Sequence, residues 1–437
     1  SMTRNVGLPE WRRGDFSTAT RDAGARAALV PVYDPETGTG DFGNPRLNLP
    51  FPGNVIPAAR LDPVAVKAVS YIPAANRTPN NPYNFSGNWQ ENRVNPPTRG
   101  YHTARVDHDL TSNTRLSGRY IGTLPEHDYS AYTAGYGVAD PDGLLIDNRR
   151  QNVVLNVTQL FSPTFFLNFT AGYNRVFIHR RSGDCCDKNY GQLFGIANVP
   201  GEVFPRFNYG GGLVPMTEVG ALGNANRVAA MNTTDFTGKF SRIAGTHTFK
   251  FGVQYTRFGG NERSRNQPSG VYAFNGRLTQ GFNAAGATIA NTGIPFADFL
   301  LGRLNSVDSS TKPGYGRRLQ YYGGYFQDDL RITSNLTVNL GLRYETESPI
   351  YEVAGRMSSF DPWAPNPLAG TGDIPVGARG ITLFPNRNGE GKYLWNPDRT
   401  NFGPRFGFAW RIFGSNTSVI RGGFGIFYGN PYDRETV

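Results

Sequence analysis

The stretch Leu336-Thr337-Val338-Asn339-Leu340-Gly341-Leu342-Arg343-Tyr344-Glu345 decides the fold class. Its apolar side chains alternate with polar residues or glycine from the first position to the last. Successive side chains of a β-strand point to opposite faces, so a period of two predicts a strand with one apolar and one polar face.

The sequence before this stretch completes a hairpin. Apolar and polar positions alternate between Tyr322 and Ile332, and Thr333-Ser334-Asn335 joins the two segments. The same unit recurs around short turns at 111–113, 162–164, 244–245 and 414–416. We therefore predict five antiparallel hairpins.

The lengths of the connections indicate where these hairpins lie. The turn inside each hairpin is short, whereas the connections between hairpins are long and rich in Gly, Asn and Pro, at 124–149, 177–231, 259–314 and 346–402. Outer-membrane barrels have short periplasmic turns and long extracellular loops, and about ten residues per strand cross the bilayer. We predict an all-β fold, an antiparallel transmembrane β-barrel of which this chain is a fragment. A soluble β-sandwich is the alternative.

The composition excludes two other classes. The chain has no apolar run of about 18 residues, and a mean hydropathy of -0.44 does not fit a helical membrane protein. The net charge of +10 comes from Lys and Arg spread along the sequence without a basic run. Nucleic acid is therefore not expected as a partner.

Charged and amide side chains fall on one face of the predicted strands. Arginine at the middle of the bilayer on the lipid side costs ~2 to 4 kcal/mol, so this face should line the lumen, where it could contact a ligand. His108 and Asp328 are exceptions on the apolar face. The lumen candidates are Arg105, Asp107, Asp109, Arg115, Arg119, Lys239, Lys250, Gln254, Gln327, Asp329, Arg331, Arg343, Glu345, Arg405, Arg411 and Arg421.

No motif for catalysis, a cofactor or a metal site is found in the sequence. There is no GxSxG, HExxH or CxxC pattern, and the two cysteines, Cys185 and Cys186, are neighbours without a second pair at ligand spacing. Asp140, Asp142 and Asp147 lack the spacing of an EF-hand. The N-terminus also lacks a secretory signal, which is expected of a fragment.

Several short motifs resemble the barrel strands of TonB-dependent transporters. They are Tyr325-Phe326-Gln327-Asp328-Asp329 and the 336–345 stretch. Further segments resemble the Oar-like branch of that family, at 13–17, 51–57, 105–108, 247–252, 297–302 and 404–409. Together they span nearly the whole chain in order.

The resemblance implies a barrel of about 22 strands. It also implies a plug, an N-terminal regulatory-like domain and final strands, and these three parts are expected to lie outside this sequence. It implies energised uptake of a large or scarce ligand across the outer membrane of a Gram-negative bacterium. Outer-membrane lipid and lipopolysaccharide would surround the barrel, and TonB would bind segments outside this chain.

Two regions are expected. Residues 1–98 are predicted to form a loop-rich barrel segment with a short helix near 63–71, and residues 99–437 to form transmembrane hairpins with long extracellular loops. Two other functions remain open. One is an outer-membrane surface protein for adhesion, matrix binding or secretion, and the other is a secreted all-β carbohydrate-binding protein or hydrolase.

Overall fold

Ten strands form one antiparallel sheet in the computed structural model of this chain. The structure describes residues 2–24, 26–39, 47–92, 99–124, 126–128, 135–182, 188–199, 201–221, 226–265, 267–310, 313–387, 389–412, 414 and 418–429. The strands are β1 Tyr101–Thr111, β2 Thr114–Thr123, β3 Leu144–Ser162, β4 Phe165–Ser182, β5 Asn226–Ala244, β6 His247–Arg265, β7 Tyr315–Arg331, β8 Leu336–Glu347, β9 Asn401–Arg411 and β10 Val419–Gly425.

Each strand pairs with its neighbours in sequence, from β1 at one edge to β10 at the other. Short strands Glu126–Asp128 and Tyr351–Glu352 extend the pairing of β3 and β7. The order confirms the predicted series of antiparallel hairpins, although residues 415–417 of the last turn lie outside the described ranges. Within the described residues the two edge strands do not pair, so the sheet is open.

The pairing register separates polar from apolar side chains. Ser117, Asn156, Thr170, Thr237 and Gln254 lie opposite one another in a row across β2 to β6. Residues that are directly opposite in a ladder share a face of the sheet. The row therefore marks a continuous polar face.

The other face carries a band of apolar and aromatic side chains. Leu167, Phe240, Phe251, Phe326 and Leu342 form a row across β4 to β8. The rings of Phe240 and Phe251 stack with their centroids 4.8 Å apart. A single residue of slippage would move these side chains to the polar face, so the pattern fixes the register.

Five strands are much longer than the expected ten residues. β3, β5 and β6 each have 19 residues, β4 has 18 and β7 has 17. In their halves beyond the apolar band both faces carry a mixture of polar and apolar residues, so the period-two signal disappears there although backbone pairing continues. The loops that connect them are correspondingly shorter than the sequence indicated.

Asp328, an exception on the apolar face, has a partner. Its Oδ2 lies 2.7 Å from His247 Nδ1 on the neighbouring strand, close to the short turns. The second exception, His108, is exposed on the edge strand β1. The contact with His247 reduces the cost of a carboxylate on this face.

The first three long connections and residues 2–92 fold together at the end of the sheet opposite the short turns, in a unit that we call the loop cap. It contains three helices, α1 Pro63–Val69, α2 Tyr190–Phe194 and α3 Pro295–Leu300, and 3-10 turns at Trp11–Arg13, Pro52–Asn54, Ala58–Arg60 and Gly137–Ala139. Its short strands are Met2–Arg4, Thr20–Asp22, Ala27–Leu29, Tyr33–Asp34, Leu49–Pro50, Trp89–Glu91, Arg206–Asn208, Val271–Ala273 and Ser306–Asp308. A separate pair, Ser359–Pro365 and Arg379–Leu383, lies in the connection before β9.

The loop cap has its own hydrophobic core. Trp11, Phe16, Phe204, Phe207 and Phe296 are almost completely buried in one cluster, although they come from three distant parts of the chain. Burial of such side chains contributes about 1.5 to 3 kcal/mol each. None of the helices in the described ranges is long and apolar enough to span a membrane.

A buried carboxylate fixes α3 within this core. Asp298 Oδ1 accepts hydrogen bonds from the backbone N–H of Thr279 at 2.8 Å and from its hydroxyl at 2.6 Å. The side chain is completely buried, and desolvation raises the pKa of Asp298 to about 7 against the opposing effect of these hydrogen bonds. The contacts hold the 276–279 turn against the helix.

The two faces of β8 should differ in their tolerance of charge. Leu342→Arg places a cation beside Phe326 and the other apolar side chains, whereas Asn339→Arg joins Asp329 on the polar face. We expect Leu342→Arg to destabilise the full-length barrel in lipid vesicles by ~2 to 4 kcal/mol, and Asn339→Arg to have little effect. Folding titrations in urea measure both, and a larger loss for Asn339→Arg would reverse the assignment of the faces.

Candidate functional site on the polar face of the sheet

All sixteen lumen candidates lie on the polar face. Each is in register with the polar row described above or is separated from it by an even number of residues along its strand. The structure brings most of them into three clusters.

The first cluster lies at the β1 edge. Arg105 Nε donates to Asp107 Oδ2 at 2.7 Å, and the Arg115 guanidinium lies 3.7 Å from Asp109 Oδ1. All four side chains are largely in contact with solvent in this open sheet. Ion pairs of this kind contribute at most about 1 kcal/mol.

The second cluster is centred on Asp329. Lys250 Nζ lies 2.6 Å from its Oδ2, and Gln327 Nε2 donates to its Oδ1 at 2.7 Å. The three residues lie on the neighbouring strands β6 and β7, within the half of the sheet next to the short turns.

The third cluster is a hydrogen-bond network across four strands. Arg343 pairs with Glu345, and the Tyr321 hydroxyl bridges them, donating to Glu345 at 2.7 Å and accepting from Arg343 at 2.8 Å. Arg343 Nη2 also donates to Gln254 Oε1 at 3.4 Å, which is a weaker contact. Gln254 in turn donates to Asp235 Oδ2 at 3.1 Å.

The remaining candidates stay outside these clusters in the part of the chain that the structure describes. Arg405 stacks on the ring of Phe427 with 4.7 Å between the guanidinium carbon and the ring centroid, and Arg411 donates to the carbonyl of Ser334. The others on the same face are Arg119, Lys239, Arg331 and Arg421.

A cavity of about 800 Å³ adjoins the third cluster. Its floor is the polar face of β5 to β8, and its wall comes from the connection between β8 and β9. The described side chains and backbone that line it are Thr233, Asp235, Gln254, Thr256, Phe258, Leu319, Tyr321, Glu345, Thr346, Glu347, Ser348, Pro349, Ile350, Trp395, Asn396, Pro397, Asp398, Asn401, Tyr428 and Gly429.

The lining of this cavity is acidic and aromatic. It includes four carboxylates, and among the described residues that line it none is Lys or Arg, although the chain has 44 of these residues. Asp235 and Glu345 are held by the network, whereas the half-buried Glu347 has no hydrogen-bond or ionic partner in the described structure. The cavity therefore presents an uncompensated negative charge beside the rings of Phe258 and Trp395.

Sequence reasoning identified only three of the residues that line the cavity or hold its floor: Gln254, Arg343 and Glu345. Asp235, Tyr321 and Glu347 could have been added, because each is an even number of residues from a candidate on its own strand. Trp395 gives no such signal, since it belongs to an irregular segment.

No metal-binding group of three His, Cys, Asp or Glu residues occurs among the residues that the structure describes. Asp140 and Asp142 instead contact the buried guanidinium of Arg4, with a distance of 3.1 Å for Asp142. Cys185 and Cys186 lie outside the described ranges.

Similarity to solved structures is found among outer-membrane transporters and receptors. The outer membrane transporter YddB from Escherichia coli is 15% identical, with 82% of this chain and 34% of that chain covered and a TM-score of 0.43. The ferric-catecholate import receptor Fiu from E. coli K12 is 12% identical, with 77% and 47% covered and a TM-score of 0.41. The alcaligin outer membrane receptor FauA from Bordetella pertussis is 10% identical, with 72% of this chain and 33% of that chain covered and a TM-score of 0.37.

This chain thus spans between a third and a half of the length of these three proteins. No curated protein sequence matches it. The sequence profile of the family described as "Outer membrane beta barrel domain" matches residues 1–437. This family consists of barrels of the Gram-negative outer membrane rather than enzymes. Because its profile matches the chain from end to end, the protein belongs to the outer membrane beta barrel domain family.

Proposed function

We propose that this chain forms part of a TonB-dependent transport barrel for a large or scarce ligand, of the Oar-like kind. Strands outside the chain would close the sheet, and the polar face would line the lumen. The observation that carries the proposal is the acidic cavity on that face, between the strands β5 to β8 and the connection before β9.

The polar face supports this proposal because the floor of the cavity is fixed by the hydrogen-bond network of the third cluster. Arg343 and the hydroxyl of Tyr321 hold Glu345 in place, and Asp235 accepts from Thr256 at 2.6 Å. A floor fixed by hydrogen bonds is preorganised, so less conformational entropy is lost when a ligand binds.

The cavity also indicates the chemistry of the ligand. An uncompensated carboxylate at Glu347 attracts a positive charge, and the neighbouring aromatic rings favour a cation or a flat apolar group. We infer that the ligand carries at least one cationic group, which it places near Glu347.

Adhesion or matrix binding is the second candidate, and the loop cap is the observation that favours it. Loops that share a hydrophobic core present a fixed outer surface, which a partner protein could recognise without transport. The two functions differ in their need for TonB.

Binding of TonB distinguishes these functions. The full-length parent protein should bind the purified periplasmic domain of TonB, whereas the 437-residue chain alone should not, because the resemblance assigns the TonB-binding segment to sequence outside it. Calorimetry or surface plasmon resonance measures both. Failure of the full-length protein to bind TonB would contradict transport and favour adhesion.

The charge of the ligand can be tested with spermine as a cationic probe. Spermine should bind the full-length protein, and Glu347→Gln should weaken this binding about tenfold, since a charge-assisted contact is worth about 1.5 kcal/mol or more. Asp373→Asn, which alters an exposed carboxylate outside the cavity lining, is the matched control and should leave binding unchanged. Equal affinities for the parent and the Glu347 variant would contradict a cationic subsite.

A further inference from the structure

The acidic cavity has an apolar side in addition to its carboxylates. Phe258 on β6 and Leu319 on β7 are directly opposite each other in the ladder, and both line the cavity floor. They belong to the polar face, where the next positions towards the short turns are Thr256 and Tyr321. This apolar pair interrupts the polar lining of the sheet and gives one side of the cavity a surface for an apolar group.

The connection between β8 and β9 completes this apolar side. Ile350 precedes the short strand Tyr351–Glu352, which pairs with β7, so it continues alongside that strand. On the returning chain the ring of Tyr393 packs against Tyr351 with 5.6 Å between the centroids, two residues before Trp395. Ile350 and Trp395 both line the cavity. We call the four side chains of the floor and this wall the apolar subsite, namely Phe258, Leu319, Ile350 and Trp395.

The indole of Trp395 is accessible although the backbone on both sides of it is fixed. Its exposure is 46%, whereas the buried Trp89 of the loop cap is 3% exposed. The contact of Tyr393 holds the chain before it, and after it the hydroxyl of Thr346 donates to the carbonyl of Asp398 at 2.7 Å. An indole that is held at a cavity wall and stays accessible offers a face for stacking with a flat or apolar group.

The apolar subsite lies close to the carboxylate of Glu347. Glu347 is opposite Tyr321 in the ladder, and Leu319 is the second residue from Tyr321 along β7. Side chains two residues apart on one face of a strand are about 7 Å apart. The cavity therefore offers a negative charge and an apolar surface at a separation that one small molecule can bridge.

Two amide side chains add hydrogen-bonding groups to the lining. Asn396 follows Trp395 in the wall, and Asn401 begins β9 opposite Glu345. An amide side chain both donates and accepts hydrogen bonds, as a peptide group does, so these side chains suit the backbone of a peptide. The cavity volume of about 800 Å³ is within the range of pockets that hold a drug-sized ligand.

We propose that the cavity binds a short basic peptide with an aromatic side chain, which places a basic side chain at Glu347 and the aromatic one in the apolar subsite. This inference rests on the proposed function and extends it, since a cationic group alone would leave the apolar subsite unused. Charge complementarity supports this occupant, because the described lining contains four carboxylates and no Lys or Arg. An acidic peptide would be repelled.

Binding of N-acetylated tripeptide amides to the full-length protein in detergent tests the proposal. The peptide lysine–tryptophan–lysine should bind about tenfold more tightly than lysine–alanine–lysine, because only the first buries an aromatic side chain in the apolar subsite. The acidic counterpart, glutamate–tryptophan–glutamate, should bind more weakly than both lysine peptides. Isothermal titration calorimetry measures the three affinities.

Variants of the wall separate recognition from damage to the fold. Trp395→Ala should abolish the preference for the tryptophan peptide, while an unchanged affinity for spermine shows that the carboxylate side of the cavity is intact. Trp395→Phe keeps an aromatic ring and should retain most of the preference. Trp363→Ala removes an exposed tryptophan of the same connection that does not line the cavity, and this matched control should behave like the parent.

The possible outcomes distinguish this inference from the proposed function. Equal affinities of the parent for the two lysine peptides, or an undiminished preference in the Trp395→Ala variant, would overturn the peptide assignment even if spermine binds. Failure of spermine and of both lysine peptides to bind would overturn the cationic subsite as well. The expected peptide preference in a protein that does not bind TonB would support this inference and contradict transport.

Discussion

The alternation of side chains along hydrogen-bonded strands is the constraint on which the rest of this structure depends. A backbone that crosses a bilayer must satisfy its N–H and C=O groups within the protein, and strands do so only by pairing with neighbours. Once β8 pairs with β7 and β9, its side chains are divided between two faces without freedom to exchange. The apolar band and the polar network are both consequences of that division.

The division also explains why the two faces of one sheet differ in their chemistry. The polar face concentrates carboxylates around a cavity, where water and a ligand can enter. The opposite face must remain apolar over the thickness of the hydrocarbon. The role of a charged side chain therefore depends on its face. The register of an arginine in its strand determines whether it lies towards the lumen or towards the lipid.

Much of this arrangement could be predicted from the sequence, because the period of two and the short turns are local signals. The strand at 336–345, its hairpin with β7 and the common face of Arg343 and Glu345 need no tertiary information. The extended halves of β3 to β7 could not be predicted, since polar and apolar residues do not alternate there. Nor could the core of the loop cap, in which Trp11, Phe204 and Phe296 meet from distant segments.

The central claim is that this sheet crosses the outer membrane with its polar face towards the lumen, and an accessibility scan of β8 tests it most directly. Nitroxide labels placed one at a time at positions 336 to 345 of the full-length protein in lipid vesicles report contact with oxygen in the lipid or with a water-soluble nickel complex. The account predicts a period of two, with high oxygen accessibility at the even-numbered positions, which are Leu336, Val338, Leu340, Leu342 and Tyr344, and low oxygen accessibility at the odd-numbered ones. High accessibility to the nickel complex on both faces, without a period of two, would contradict a membrane-spanning strand and favour a soluble sheet.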